Sequence, residues 1–166
     1  IKEHNLGIEL DKFLNLIKNS YKEFNTNLVI DFIFERLYQL YDVNSSVIKA
    51  VLASGDRNLV EIDKKIKALN EIVQSEGFKE VFTTFKRVAN IVQDLDIEKE
   101  LPIDETLLIE EAEKTLYNSF KEKSNIDGDY LEKIDSLFGL KPEIDNFFDN
   151  VMVNVENEKL KINRKN

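Results

Sequence analysis

Apolar side chains recur along this chain at spacings of three and four, the period of an α-helix, and strand-like alternation is almost absent. Leu10, Phe13, Leu14, Ile17, Tyr21 and Phe24 line one face while Lys12, Lys18 and Lys22 point elsewhere, which predicts an ordinary surface helix. A second helix is predicted after Asn27 as N-cap. It is apolar on nearly every side, through Val29, Ile30, Phe32, Ile33, Phe34, Leu37, Leu40 and Tyr41, and such a helix belongs at the centre of a bundle. Asn44 or Ser45 caps a short third helix carrying Val47, Ile48, Val51 and Leu52, and Ser54-Gly55 ends it. The fourth aligns Leu59, Ile62, Ile66, Leu69 and Val73. After Gly77 a fifth turns Phe78, Val81, Phe82, Phe85, Val88, Ala89 and Val92 inward, with Lys79, Thr83, Lys86 and Asn90 opposite and Arg87 beside that stripe.

Residues 94–105 are acidic and contain Pro102, so they read as an internal linker, with a sixth helix beginning near Asp104. This helix places Leu108, Ile109, Ala112, Leu116 and Phe120 inward. A turn around Gly128 follows, then a seventh helix capped by Asp127 or Asp129 that runs through Phe138 and stops at Gly139. Pro142 suits the first turn of an eighth, which carries Ile144, Phe147, Phe148 and Val151, with Val155 as the outer limit. No period of 20 to 50 residues repeats, which disfavours a solenoid. The expected fold is an all-α bundle of about eight helices.

Composition narrows the chemistry. The chain has 166 residues, a length that predicts one domain with a proper core, or one domain plus a small appendage. With no Cys and one His it has no disulfide framework, thiolate zinc site, Cys nucleophile or two-histidine triad. Nucleotide-binding and hydrolase fingerprints are absent, and acids such as Glu110, Glu111 and Glu113 read as a solvated helix face. His4 reads as a surface residue. The net charge of −9 repels nucleic acid on average, so contact with it requires a local basic patch. No apolar run approaches the roughly 20 residues that span a bilayer, and the expectation is a soluble cytoplasmic protein without membrane or DNA partners. Starting at Ile1 and stopping in a charged, helix-like stretch, the chain is expected to be a piece of something larger.

Two groups of cations stand out against the acidic background. Lys79, Lys86, Arg87 and Asn90 form a polar strip on a helix anchored by aromatics, the arrangement that holds phosphate or base contacts rigidly. The plainer alternative is a solvated face with Arg87 paired to a local Glu. Arg36 lies in the most apolar helix, is expected to be partly buried, and then needs a partner, structural or ligand. Phe147 and Phe148 have the spacing of core residues rather than of a stacking pair. Lys159, Lys161, Arg164 and Lys165 close the chain with no acid after Glu158, as an RNA-contacting tail or as a helix end matched to its own dipole.

Blocks of sequence add a resemblance that covers essentially the whole chain. KPEIDNFFDNVMV (141–153), followed by a charged stretch to Arg164, resembles the end of the large (beta) subunit of bacterial two-subunit glycyl-tRNA synthetases. HNLGIELDKFLNLI (4–17), VIDFIFERL (29–37), VIKAVLAS (47–54), KIKALNEI (65–72) and FKRVANIV (85–92) resemble that subunit in the same order. The resemblance implies a lead-in helix over 1–26 and an all-α anticodon-binding domain of the D-A-L-R type over 27–166. That signature stands here as Glu158-Lys159-Leu160-Lys161, a departure at three of four positions, and Lys161 lacks the planar fork of Arg.

Also implied is a non-catalytic part of a glycine-tRNA ligase that binds glycine tRNA at its anticodon end. The alpha subunit would carry glycine activation with ATP and Mg2+, leaving this stretch with no cofactor, metal or catalytic residue of its own. Anticodons of the form NCC make two cytosines the identity elements, and unpaired loop bases are read by carboxylates, backbone groups and Asn or Arg. The residues carried over are Lys86, Arg87 and Asn90 from K-R-x-x-N-I, Arg36 from F-x-x-x-R-L, and Asn163-Arg164; Lys79, Lys159 and Lys161 extend the set as phosphate contacts. The competing expectation is a helical protein-interaction or scaffold domain indifferent to RNA.

Overall fold

A computed structural model describes residues 6–18, 20, 24–95 and 102–166; His4, Tyr21 and the 96–101 part of the expected linker lie outside them. The described residues form nine α-helices and one 3-10 turn, with an isolated bridge between Glu9 and Asn58 as the one β pairing among them. The all-helical expectation holds, and the added helix lies in the charged stretch at the end. The chain divides into two compact units, Ile1–Ser75 and Glu76–Asn166.

In the first unit α1 (Leu10–Lys18) packs on α2 (Thr26–Leu40), which packs on α3 (Ser45–Ala53), which packs on α4 (Leu59–Gln74). Asparagines start three of these helices, because their short carbonyl reaches the free amides of the first turn. Asn44 and Asn58 do so for α3 and α4. For α2 the cap is Asn25, which accepts from the Asn27 and Leu28 amides, so Asn27 is already inside the helix that it was expected to cap. Gly55 ends α3 at φ 77°, a left-handed angle that costs glycine least. The core is aliphatic, with Ile62 and Ile66 of α4 fully buried against Leu10, Leu14, Ile30, Phe34, Val47 and Ile48. Placing α2 at the centre needs correction: Ile30, Phe34 and Leu37 are buried, whereas Leu28, Phe32 and Leu40 are 65%, 55% and 61% exposed. One side of α2 thus serves the core and the other faces outward.

The second unit contains α5 (Phe78–Val92), a 3-10 turn (Glu105–Leu107), α6 (Glu111–Ser124), α7 (Tyr130–Phe138), α8 (Lys141–Asn150) and α9 (Glu158–Lys165). Helix α8 packs on both α5 and α6, and α7 leans on α6. The sixth helix begins later than expected because Asp104 caps the 3-10 turn instead. Glu110 and Glu113 then start α6 as a capping box, each side chain bonding the other's backbone amide. Asp129 and Glu132 repeat the device at α7. Helix α8 stops at Asn150, short of Val155, and Val151 turns extended. In the irregular segment that follows, Val151 and Val153 are buried while Met152 between them is 73% exposed, a local period of two in a helical chain.

Candidate nucleic-acid interface

Helix α5 sets out the site. Thr84 is its one fully buried residue; Val81, Phe85, Val88, Ile91 and Val92 are half-buried, and Phe82 and Ala89, expected inside, are exposed. Aromatics nonetheless fix the helix. Phe78 and Phe85 lie 6.3 and 5.2 Å from the Phe138 ring of α7. Opposite this anchored side, Lys79, Thr83, Lys86 and Asn90 are all exposed along one stripe, as their spacing predicted. Neither Lys79 nor Lys86 has a carboxylate within ion-pair distance among the described residues.

Arg87 borders the stripe on the side of α8. It is not paired to a Glu: its guanidinium carbon sits 4.2 Å from the ring centroid of Phe148, in cation–π contact. Asp145 of α8 lies in the same corner, Oδ1 accepting from the Thr84 hydroxyl at 2.8 Å and Oδ2 from Lys141 Nζ at 2.7 Å. The Lys141 ammonium, the Thr84 hydroxyl and the positive field of Arg87 hold this carboxyl below the usual aspartate value. Thr84, Asp145, Lys141 and the contact of Phe148 with Arg87 were not legible from local sequence. The i,i+4 pair Lys141/Asp145 is a local signal, but the contact between Thr84 and Asp145 spans 61 residues.

The closing basic cluster is not one surface. Arg164 is turned inward, with its side chain 7% exposed; Nε donates to Glu113 Oε1 at 2.6 Å, Glu113 being 2% exposed, and a terminal nitrogen reaches the Met152 carbonyl at 2.9 Å. Asn163 is buried, its amide bonded to both the backbone N–H and the C=O of Asp104. Lys165 grips Asp94 and Lys161 approaches Glu158 at 3.4 Å, while Lys159 is exposed. In the first unit, Arg36 is exposed rather than partly buried, over the Phe32 ring at 4.7 Å and donating to Gln39 at 3.3 Å. The α5 group and α9 lie in one unit and Arg36 lies in the other.

The second unit also holds a cavity of about 340 Å³, lined by apolar groups such as Val88, Leu116, Phe120 and Phe147, with Glu113, Asn163 and Arg164 at its wall. Its lining lacks a nucleophile with a base. Among the described residues no group of three or more His, Asp or Glu is placed to hold a metal, and no helix is long and apolar enough to cross a membrane.

A helical unit with a firmly backed cationic helix face is an arrangement suited to RNA, and the chain is indeed similar in sequence to subunits of aminoacyl-tRNA ligases. No protein-family model matches it. Glycine–tRNA ligase beta subunits do: that of Sulfurihydrogenibium sp. is 38% identical over 146 residues, or 82% of this chain, and that of Mannheimia succiniciproducens 33% over 178 residues, or 99%. The Coxiella burnetii subunit is 34% identical over 177 residues, or 98% of the chain. The chain is homologous to the C-terminal region of these beta subunits. It spans about a quarter of their length, covering 21% to 26% of these three.

Proposed function

We propose that this chain is the tRNA-binding module of a glycine–tRNA ligase beta subunit, engaging the anticodon arm of glycine tRNA. In this reading it contains no catalytic group, and an alpha subunit performs the ATP- and Mg2+-dependent ligation of glycine in the cytoplasm. The observation that carries the reading is the α5 face: Lys79, Lys86, Arg87 and Asn90 stand outward, and no carboxylate within the described residues pairs with these cations. Free cations on a net acidic protein suit a polyanion that neutralises them. The homology to beta subunits supports tRNA as that polyanion.

The test is a titration of labelled glycine tRNA against the chain at low salt. Expected is salt-sensitive binding, a Lys86→Gln variant weakened equally for all tRNAs with a salt slope lower by about one, and a loss of about 1–3 kcal/mol for each changed anticodon cytosine. No binding at low salt overturns the reading, and equal binding of the changed tRNAs reduces it to backbone contact.

A second reading, a module that docks protein, has its own observation in the exposed Leu28, Phe32 and Leu40 of α2. It predicts no tRNA binding at low salt and a protein partner that Phe32→Ser releases.

A further inference from the structure

We propose that Arg87, laid over Phe148, is a stacking platform for one unpaired nucleobase, with Lys86 meeting the phosphate beside it. This deepens the tRNA-binding reading and rests on it. Arg87 has an exposed side chain, yet its guanidinium is held 4.2 Å above a half-buried ring whose helix, α8, is part of the core of the unit. The nearest acid does not capture it. Asp145 accepts from Thr84 and Lys141 and makes no hydrogen bond or ion pair with Arg87, so its field acts on Arg87 without occupying the guanidinium's donors.

A guanidinium backed by an aromatic ring presents its outer side to another flat π-system, and unpaired bases stack on arginine planes in this way. Lys86 is the next residue round the helix, exposed and without an ion pair among the described residues, placed for a point-charge contact with phosphate. Asn90 is one turn on from both and exposed, and its amide carries the donor and acceptor that a base edge needs. A backed guanidinium shelf, a phosphate cation and a polar edge reader thus occupy five consecutive residues of one helix and the face of its neighbour.

The test uses the 166-residue chain and glycine tRNA transcripts with an abasic site placed in turn at each anticodon-loop nucleotide. At one position the missing base is expected to weaken wild-type binding by roughly 5- to 150-fold, the range of a base–aromatic stack. Arg87→Lys keeps the charge but not the plane, and is expected to bind intact tRNA at the abasic level and to ignore the missing base. Phe148→Leu, which removes the backing, should behave alike. Thermal midpoints of both variants separate this from loss of folding. If Arg87→Lys still discriminates, or if the wild-type chain binds yet ignores every abasic site, the platform is overturned while the tRNA reading stands. Absence of any binding overturns both.

Discussion

Residues 1–75 carry ten Lys and Arg against eleven Asp and Glu, whereas residues 76–166 carry thirteen against twenty-one. The nearly neutral first unit buries a continuous cluster of ten apolar residues and still leaves one side of α2 greasy. The acidic second unit joins only four buried residues in its own cluster and internalises polar pairs instead: Glu113 with Arg164, Thr84 with Asp145, Asn163 with Asp104. Some of its acids pair with cations far along the chain, Glu105 with Lys121, Glu143 with Lys123 and Asp94 with Lys165. The lesson is that net charge does not locate unpaired cations. The more negative unit leaves Lys79 and Lys86 of α5 outside any ion pair among the described residues, even with the exposed Glu80 on the same helix.

The contrast predicts different failure modes. Glu113→Ala strands the buried Arg164 without a counter-charge and is expected to cost about 3–5 kcal/mol in denaturant unfolding. In the aliphatic unit Ile62→Ala opens a cavity at a fully buried position and should cost about 2–5 kcal/mol, with no dependence on salt. Asn58→Ala removes the cap of α4, which accepts from the Val60 and Glu61 amides, for about 1 kcal/mol in the same assay.

Acid sharpens the comparison most gently. Asp145, Asp94 and Glu105 have lowered pKa values, through Lys141, Lys165 and Lys121 respectively. A carboxyl depressed in the folded state contributes stability that is whole above its unfolded value, about 4, and is lost as pH falls through the folded one. The second unit should therefore loosen below pH 4, seen as earlier loss of amide-exchange protection in α5, α8 and α9 than in α3, which carries no acid; α4, tied through Lys65 to the lowered Asp56, should respond to acid as well.

Legibility divides along the same line. Ile62 and Ile66 of α4, or Ile144 and Phe147 of α8, could be read as core because burial repeats with the helical period, whereas further along α4 it is Ala68 and Ile72 that are buried and the expected Leu69 and Val73 only partly so. The start of α8 at Pro142 and the stripe on α5 follow from equally local rules. What escaped was set by distant partners or by rare local chemistry. Glu110 is an unusual N-cap, so the true start of α6 was hidden behind Asp104. The inward turn of Arg164 depends on Glu113, 51 residues earlier. The outer side of α2 looked like core because apolar periodicity does not say whether a face has been covered. At the candidate site the residues of the stripe were legible, and the Phe148 backing of Arg87 was not, since it needs α8 beside α5.

The amide of Asn163 plugs into the backbone at Asp104 as a second strand would, giving a hydrogen to the carbonyl and taking one from the N–H. One side chain so imitates a rung of sheet in a protein that has none to offer there, and ties a ring of 59 residues shut. Closing so long a ring is entropically little worse than closing one half its size. The demand falls on chemistry rather than length, because Asp has the same shape but only acceptors, and at this position would set lone pair against lone pair.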